Sequence, residues 1–105
     1  MPKPIETGPC EVNETVRLKN GEAAQYVLTG CEETFTASAE INHAKPNDIL
    51  ILSLTGPNGE QRIGTNLPDG DTATVTWEGP MSGPWVLIAS NAGPIQISVN
   101  ISAGG

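Results

Sequence analysis

Hydrophobic and polar residues alternate with a period of two along much of this chain, the pattern of strands that bury one face. Across residues 34–42, Phe35, Ala37, Ala39 and Ile41 share one side, and Thr34, Thr36, Ser38, Glu40 and Asn42 the other. Ala73, Val75 and Trp77 alternate with Thr72, Thr74 and Thr76 in the same way. So do Ile95, Ile97, Val99 and Ile101 with Gln96, Ser98 and Asn100. Each of these runs predicts a strand with one dry and one wet face. Residues 49–54 and 85–89 are more continuously apolar, which predicts central strands.

Turn-forming residues separate these runs. Gly56-Pro57-Asn58-Gly59 offers a proline for the first central turn position and Asn or Gly for a positive φ. Pro68-Asp69-Gly70-Asp71, Ser82-Gly83-Pro84 and Asn91-Ala92-Gly93-Pro94 punctuate the chain similarly. The expectation is an all-β protein: a small antiparallel β-sandwich, jelly-roll or Ig-like, of about 7–8 strands. Residues 10–102 form its single domain, preceded by an extended proline-rich arm (1–9) and followed by a short tail (103–105).

Asn20-Gly21 is a strong signal for a two-residue hairpin. In that register paired positions sum to 41, which sets Cys10 opposite Cys31 at a separation a disulfide can span. It also sets Val16 against Gln25 and Leu18 against Ala23. One more loop residue would match Val16 with Tyr26 and take the cysteines out of line. A reducing compartment would keep two thiols instead.

Composition narrows the class. Gly (12) and Pro (9) together make a fifth of the 105 residues, which leaves no room for a coiled coil or helical bundle. Apolar runs such as residues 49–52 and 85–89 are far short of the roughly 20 residues of a membrane helix. The net charge of −7 opposes binding to nucleic acid or to an anionic membrane, and Lys3, Arg17, Lys19, Lys45 and Arg62 form no basic stripe. Acidity fits a soluble protein or one complementary to a basic partner. No apolar stretch of a secretory leader follows Met1, so use without export, or a leader already removed, is expected.

Catalytic chemistry is scarce. The one histidine, His43, stands at a strand end with no nucleophile or acidic orienter near it in sequence. Transition-metal ligation needs several His or Cys ligands, which one His and two distant Cys do not supply. Calcium is the metal that the residues allow, through Asp48, Asp69 and Asp71, although Asp69-Gly70-Asp71 is also what a turn requires. Asn13-Glu14-Thr15 and Asn100-Ile101-Ser102 match the glycosylation pattern. Trp77 and Trp85 fit the inward phase of their strands, and core packing is preferred to a sugar-stacking platform.

Ile41-Asn42-His43, then Asp48-Ile49-Leu50-Ile51, then Leu54-Thr55-Gly56-Pro57-Asn58-Gly59, followed by Ser82-Gly83-Pro84-Trp85-Val86-Leu87-Ile88, form an ordered set. This set resembles the P domain of proprotein-convertase-like and bacterial subtilisin-like proteases, and pre-peptidase C-terminal domains look similar. The chain departs from the pattern in one extra residue between Asp48 and Pro57, in Gly56 where Ser is usual, and in Pro84 where Thr is usual. The resemblance spans roughly residues 41–101. It implies a jelly-roll-like, non-catalytic accessory module, sometimes with bound calcium.

Two roles follow as expectations. The first is a non-enzymatic protein that docks on a larger assembly or on neighbouring subunits, including copies of itself, such as a capsid decoration protein of a virion. Pro2, Lys3, Pro4 and Ile5 of the arm and Pro57, Asn58, Asn66, Asp69, Asp71 and Met81 of the loops would make the contacts. The alternative is an accessory module of a secreted protease or glycan-active enzyme that binds carbohydrate, calcium or a partner domain.

Overall fold

Period-two alternation leaves each strand with one face that water must not reach, and two sheets stacked face to face meet that requirement. The computed structural model describes residues 5–7, 11–29, 34–66, 70–79, 81 and 84–104. Among them nine strands form: β1 (Ile5–Thr7), β2 (Val12–Leu18), β3 (Ala23–Leu28), β4 (Phe35–Asn42), β5 (Leu50–Thr55), β6 (Gln61–Thr65), β7 (Thr72–Trp77), β8 (Trp85–Asn91) and β9 (Ile97–Gly104). One sheet has the order β1-β3-β8-β5-β6 and the other β2-β9-β4-β7. The all-β sandwich expected from the sequence is the fold the chain has. Every pairing is antiparallel except that of β1, which runs parallel to β3.

Alternation holds almost strand by strand. Phe35, Ala37, Ala39 and Ile41 are buried on β4, Leu50, Leu52 and Leu54 on β5, Trp85, Leu87 and Ala89 on β8, and Ile97, Val99, Ile101 and Ala103 on β9. Each large side chain removed from water contributes about 1.5–3 kcal/mol. Ala39 lies opposite Ala73 in the β4–β7 ladder; these small residues leave room for larger side chains of the facing sheet. The outer face of the four-stranded sheet is wet, with hydroxyls and amides bonded across strands, as in Thr15 to Asn100 at 2.8 Å.

Along one side of the sandwich the two sheets nearly fuse. A Cβ added at Gly64 on β6 would lie 2.2 Å from the Thr74 carbonyl oxygen on β7, so only glycine allows this approach. Along the other side β2 faces β3, and there Glu14 takes an inward phase opposite Ile101 but stays exposed. An inward-directed charge of this kind discourages another strand from adding at the edge.

Four sequence expectations change. The turn at Asn20-Gly21 forms, with Glu22 N–H donating to the Lys19 carbonyl at 2.9 Å and Gly21 at φ 81°, but it joins no hairpin. Leu18 pairs with Ile97 and Val16 with Val99, whereas Gln25 pairs with Ile88, so β2 and β3 lie in different sheets. The turn's backbone is satisfied by β8: Gly21 N–H donates to the Asn91 carbonyl and Asn91 N–H to the Glu22 carbonyl, both at 2.9 Å. The hairpin register that aligned Cys10 with Cys31 is therefore not formed; both cysteines lie outside the described residues. Second, the expected arm is in part a strand, because Ile5–Thr7 covers the open edge of β3. Third, the expected tail extends β9, with Ala103 buried. Fourth, Ile95 precedes its strand and is exposed.

Two buried asparagines close the end of the sandwich that carries the β2–β3, β4–β5, β6–β7 and β8–β9 connections. Asn91 donates from Nδ2 to the carbonyls of Leu18 and Ile95, at 2.8 and 2.7 Å, and its Oδ1 accepts from Gly93 N–H at 2.9 Å. Asn66 accepts from Leu50 N–H at Oδ1 and donates from Nδ2 to the carbonyls of Asp48 and Gly70. Each amide thus pairs three backbone groups that would otherwise be buried without partners, at about 1–3 kcal/mol apiece. Replacing Asn91 or Asn66 with Ala should lower stability by about 2–4 kcal/mol, read as a fall in denaturant midpoint with unchanged slope. A loss below about 0.5 kcal/mol would show that the end is held by other contacts.

Candidate functional site at one end of the sandwich

The opposite end brings together the β5–β6 turn, the end of β7 and the start of β8. Residues 56–60 are built as a rigid tip. Gly56 N–H donates to the Glu60 carbonyl at 2.9 Å, Gly59 N–H to the Gly56 carbonyl at 3.3 Å, and Asn58 N–H to Glu60 Oε1 at 2.8 Å. Gly59 takes φ 89°, a conformation side chains rarely adopt. Gly56 is pressed onto Trp85, where an added Cβ would lie 2.7 Å from Cζ2 of the ring. Pro57, Asn58 and Gly59 therefore project into solvent from a turn braced by the core.

Beneath the tip three side chains stack. The Trp77 and Trp85 ring centroids are 4.9 Å apart with planes tilted by 53°, within the range of favourable aromatic pairs. The Arg62 guanidinium carbon lies 4.4 Å from the Trp77 ring centre, a cation–π contact. Trp85 is buried and its indole N–H has no partner among the described residues; Trp77 is half-buried. Trp85 is buried and Arg62 lies over the Trp77 ring, an arrangement of side-chain packing rather than an open pair of stacking faces. Beside the stack, on the outer face of β6, Ile63 is 60% exposed.

Charge distinguishes the ends. Among the described residues Glu60 and Glu78 adjoin the tip, Glu11 lies at the same end but before β2 on the opposite border, and Arg62, the cation there, is engaged on Trp77. At the asparagine-closed end the exposed Lys19 and Lys45 are matched on the surface by Glu22 and Asp71, with the carboxylate of Asp48 buried beside them. On the surface the tip end thus has the larger excess of carboxylates.

The residues singled out in the sequence do not converge. Pro57 and Asn58 are exposed at the tip. Asn66 is fully buried at the other end with its amide engaged, and Met81 is buried in the core, so neither is a surface contact. Asp71 is exposed beside Asn66's loop, where its Oδ1 accepts from the Thr72 hydroxyl. Ile5 lies in β1. Pro2, Lys3, Pro4 and Asp69 lie outside the described residues. Of the calcium candidates, Asp48 is buried with Oδ2 accepting from Lys45 N–H at 2.8 Å. Among the described residues no three His, Cys, Asp or Glu side chains gather. His43 is exposed in the β4–β5 turn at φ 57°, remote from the tryptophans. The Arg62–Trp77 stack escaped the sequence reading; its signal was Arg62 in the inward phase of an edge strand, opposite Leu54.

No protein-family model matches the chain, nor does any curated protein by sequence. Solved structures do match its fold. The pre-peptidase C-terminal domain of a collagenase from Bacillus anthracis superposes with a TM-score of 0.68 at 10% identity, over 96% of this chain and 94% of that one. PliG of Aeromonas hydrophila, a periplasmic inhibitor of g-type lysozyme, gives 0.61 at 15% identity over 96% and 94%. PliG of Salmonella Typhimurium gives 0.57 at 14% over 98% and 99%. The β-sandwich that the sequence motifs implied is the fold observed, and the pre-peptidase C-terminal domain shares that fold.

One buried group titrates abnormally. Tyr26 is fully buried on β3 and its hydroxyl has no partner among the described residues. Burial pushes its pKa above the usual 10.0, and the Glu14 carboxylate facing it from β2 adds to the rise. Because the folded protein resists ionisation, the neutral phenol's contribution is complete below about pH 10 and is lost as pH rises through the folded value. The single tyrosine makes this measurable by absorbance at alkaline pH. Tyr26→Phe should leave stability at pH 7 within about 1 kcal/mol of the parent and remove the tyrosine component of the alkaline loss. Titration of folded Tyr26 at its ordinary value would contradict the assignment.

Proposed function

We propose that this chain is a non-enzymatic protein-binding module that works outside the cytoplasm and presents its 56–60 tip and acidic end to a basic partner surface. One observation carries the reading: a rigid, solvent-projecting turn braced on Trp85, beside an Arg–Trp stack, at the end where carboxylates collect. A preorganised turn loses little freedom on docking, and Trp and Arg are the residues that most often anchor interfaces. The neighbours in fold space support this class, since two are inhibitors of a g-type lysozyme, described as periplasmic, and one is a module of a collagenase. The accessory-module alternative thus has more support than capsid decoration. None of the three is a capsid protein, and Ile5–Thr7 of the supposed docking arm is taken up by the chain's own sheet.

A g-type lysozyme is the natural first probe. The purified chain should bind it and slow its turnover, with affinity falling steeply as salt rises. Reversing Glu11 and Glu78 to Lys should weaken binding about tenfold at low ionic strength, whereas Glu22→Lys at the other end should leave it unchanged. Equal effects from the two ends would refute docking through the tip. Failure to bind this lysozyme would leave the collagenase-type role, tested by binding to a secreted protease.

A further inference from the structure

Residues 49–54 and 85–89 are apolar almost without a break, the pattern of strands covered on both faces. The fold covers one face only. Leu50, Leu52 and Leu54 of β5 and Leu87 and Ala89 of β8 are buried in the sandwich, which leaves Ile51, Val86 and Ile88 on the outer face of the five-stranded sheet. The ladders gather these around Ser53, which lies opposite Ile88 on one side and Ile63 on the other, with Ile51 one outward position along β5. Ile51, Val86 and Ile88 are half-buried by their neighbours and Ile63 is 60% exposed. No other strand among the described residues packs over them. The outward positions of β3, β5, β6 and β8, three on each strand, hold Ala, Gln, Val, Ile, Ser and Thr and no ionisable side chain. The outer face of the other sheet, by contrast, carries Arg17 and Glu40 among its hydroxyls and amides.

We propose that this neutral face joins a second copy of the chain in a weak symmetric dimer. Charge selects the occupant. The chain carries a net −7, so two copies repel wherever their carboxylates meet. Across this face they approach with no ionised side chain of β3, β5, β6 or β8 between them, and Glu6, opposite Val27 in the β1 ladder, stands at its border. Symmetry agrees. A two-fold axis along β5 at Ser53 sets Ile63 of each copy over Ile88 of the other, and Ile51 over its own counterpart. With strands about 4.8 Å apart and outward residues about 6.8 Å apart, the four strands present roughly 400 Å² of sheet plane per copy. About 800 Å² over two copies is at the small end of specific interfaces, which sets a Kd on the order of 10–100 μM. Because the axis follows the strands, both 56–60 tips stay at one end of the dimer, but the pairing does not rest on what the tips bind.

Sedimentation velocity of the full chain between about 5 μM and 1 mM reads the association. The weight-average sedimentation coefficient should climb from the monomer's value toward the dimer's. Added salt should not weaken the climb, since it screens repulsion between copies and breaks no ion pair, whereas docking of the tip on a basic surface falls with salt. Ile63→Asp, at a position already 60% exposed, should keep the fold and weaken association at least tenfold by setting a carboxylate in the apolar contact. Ile95→Asp changes the other exposed large hydrophobic among the described residues, in the β8–β9 connection, and should associate as the parent does. Should Ile63→Asp not fold, amide shifts of the parent compared between dilute and concentrated samples give the same answer: they should move on β5, β6 and β8 and stay fixed on β2 and β7. Full association by folded Ile63→Asp, equal loss in Ile95→Asp, or shifts centred on β2 and β7 would overturn the proposal. So would a chain that stays monomeric to about 1 mM, including one whose outer face takes up neutral lipid vesicles instead.

Discussion

A two-sheet interior tolerates no unpaired backbone amide or carbonyl, and the rest of this structure depends on how Asn91 and Asn66 meet that condition. Four of the chain's passages between sheets, the β2–β3, β4–β5, β6–β7 and β8–β9 connections, lie together at one end. There two fully buried amides supply six hydrogen bonds to backbone groups of Leu18, Gly93, Ile95, Asp48, Leu50 and Gly70. With those groups paired, the apolar faces of both sheets close over each other.

The edges raise a second requirement, because a sandwich, unlike a barrel, leaves strand borders that invite pairing. Each side meets it differently. Gly64 lets β6 lie so close to Thr74 of β7 that the sheets almost join. On the far side Glu14 holds a charge in the inward phase of β2, and β1 covers β3. Glu14 has an electrostatic consequence too, since it faces Tyr26 and adds to the burial that keeps the phenol neutral.

The division of labour between the ends follows. One end spends its polar side chains on its own backbone and has balanced surface charge. The other ends in a self-bonded turn whose tip is free, above Trp85, Trp77 and Arg62 and among carboxylates. A surface that has already satisfied its own hydrogen bonds while keeping Pro57 and Asn58 exposed is available to a partner.

Strand identity was legible in the residues themselves. Phe35, Ala37, Ala39 and Ile41 on β4, Ala73 and Val75 on β7 and Ile97, Val99 and Ile101 on β9 are buried as their alternation requires, because side-chain direction in a strand depends only on parity. The tip at 56–60 was legible as well, because Pro, Asn and Gly fix backbone angles locally. Partner choice among strands was not. Asn20-Gly21 specifies a turn, but whether its flanks pair with each other or part into two sheets depends on β8 and β9, some 70 residues away. For the same reason Asn66 and Met81 read as surface residues and Arg62 as an isolated cation, since burial and stacking are set by neighbours distant in sequence. Local geometry is encoded residue by residue; the pairing of layers is decided only when the whole apolar surface finds one arrangement that leaves no buried polar backbone alone.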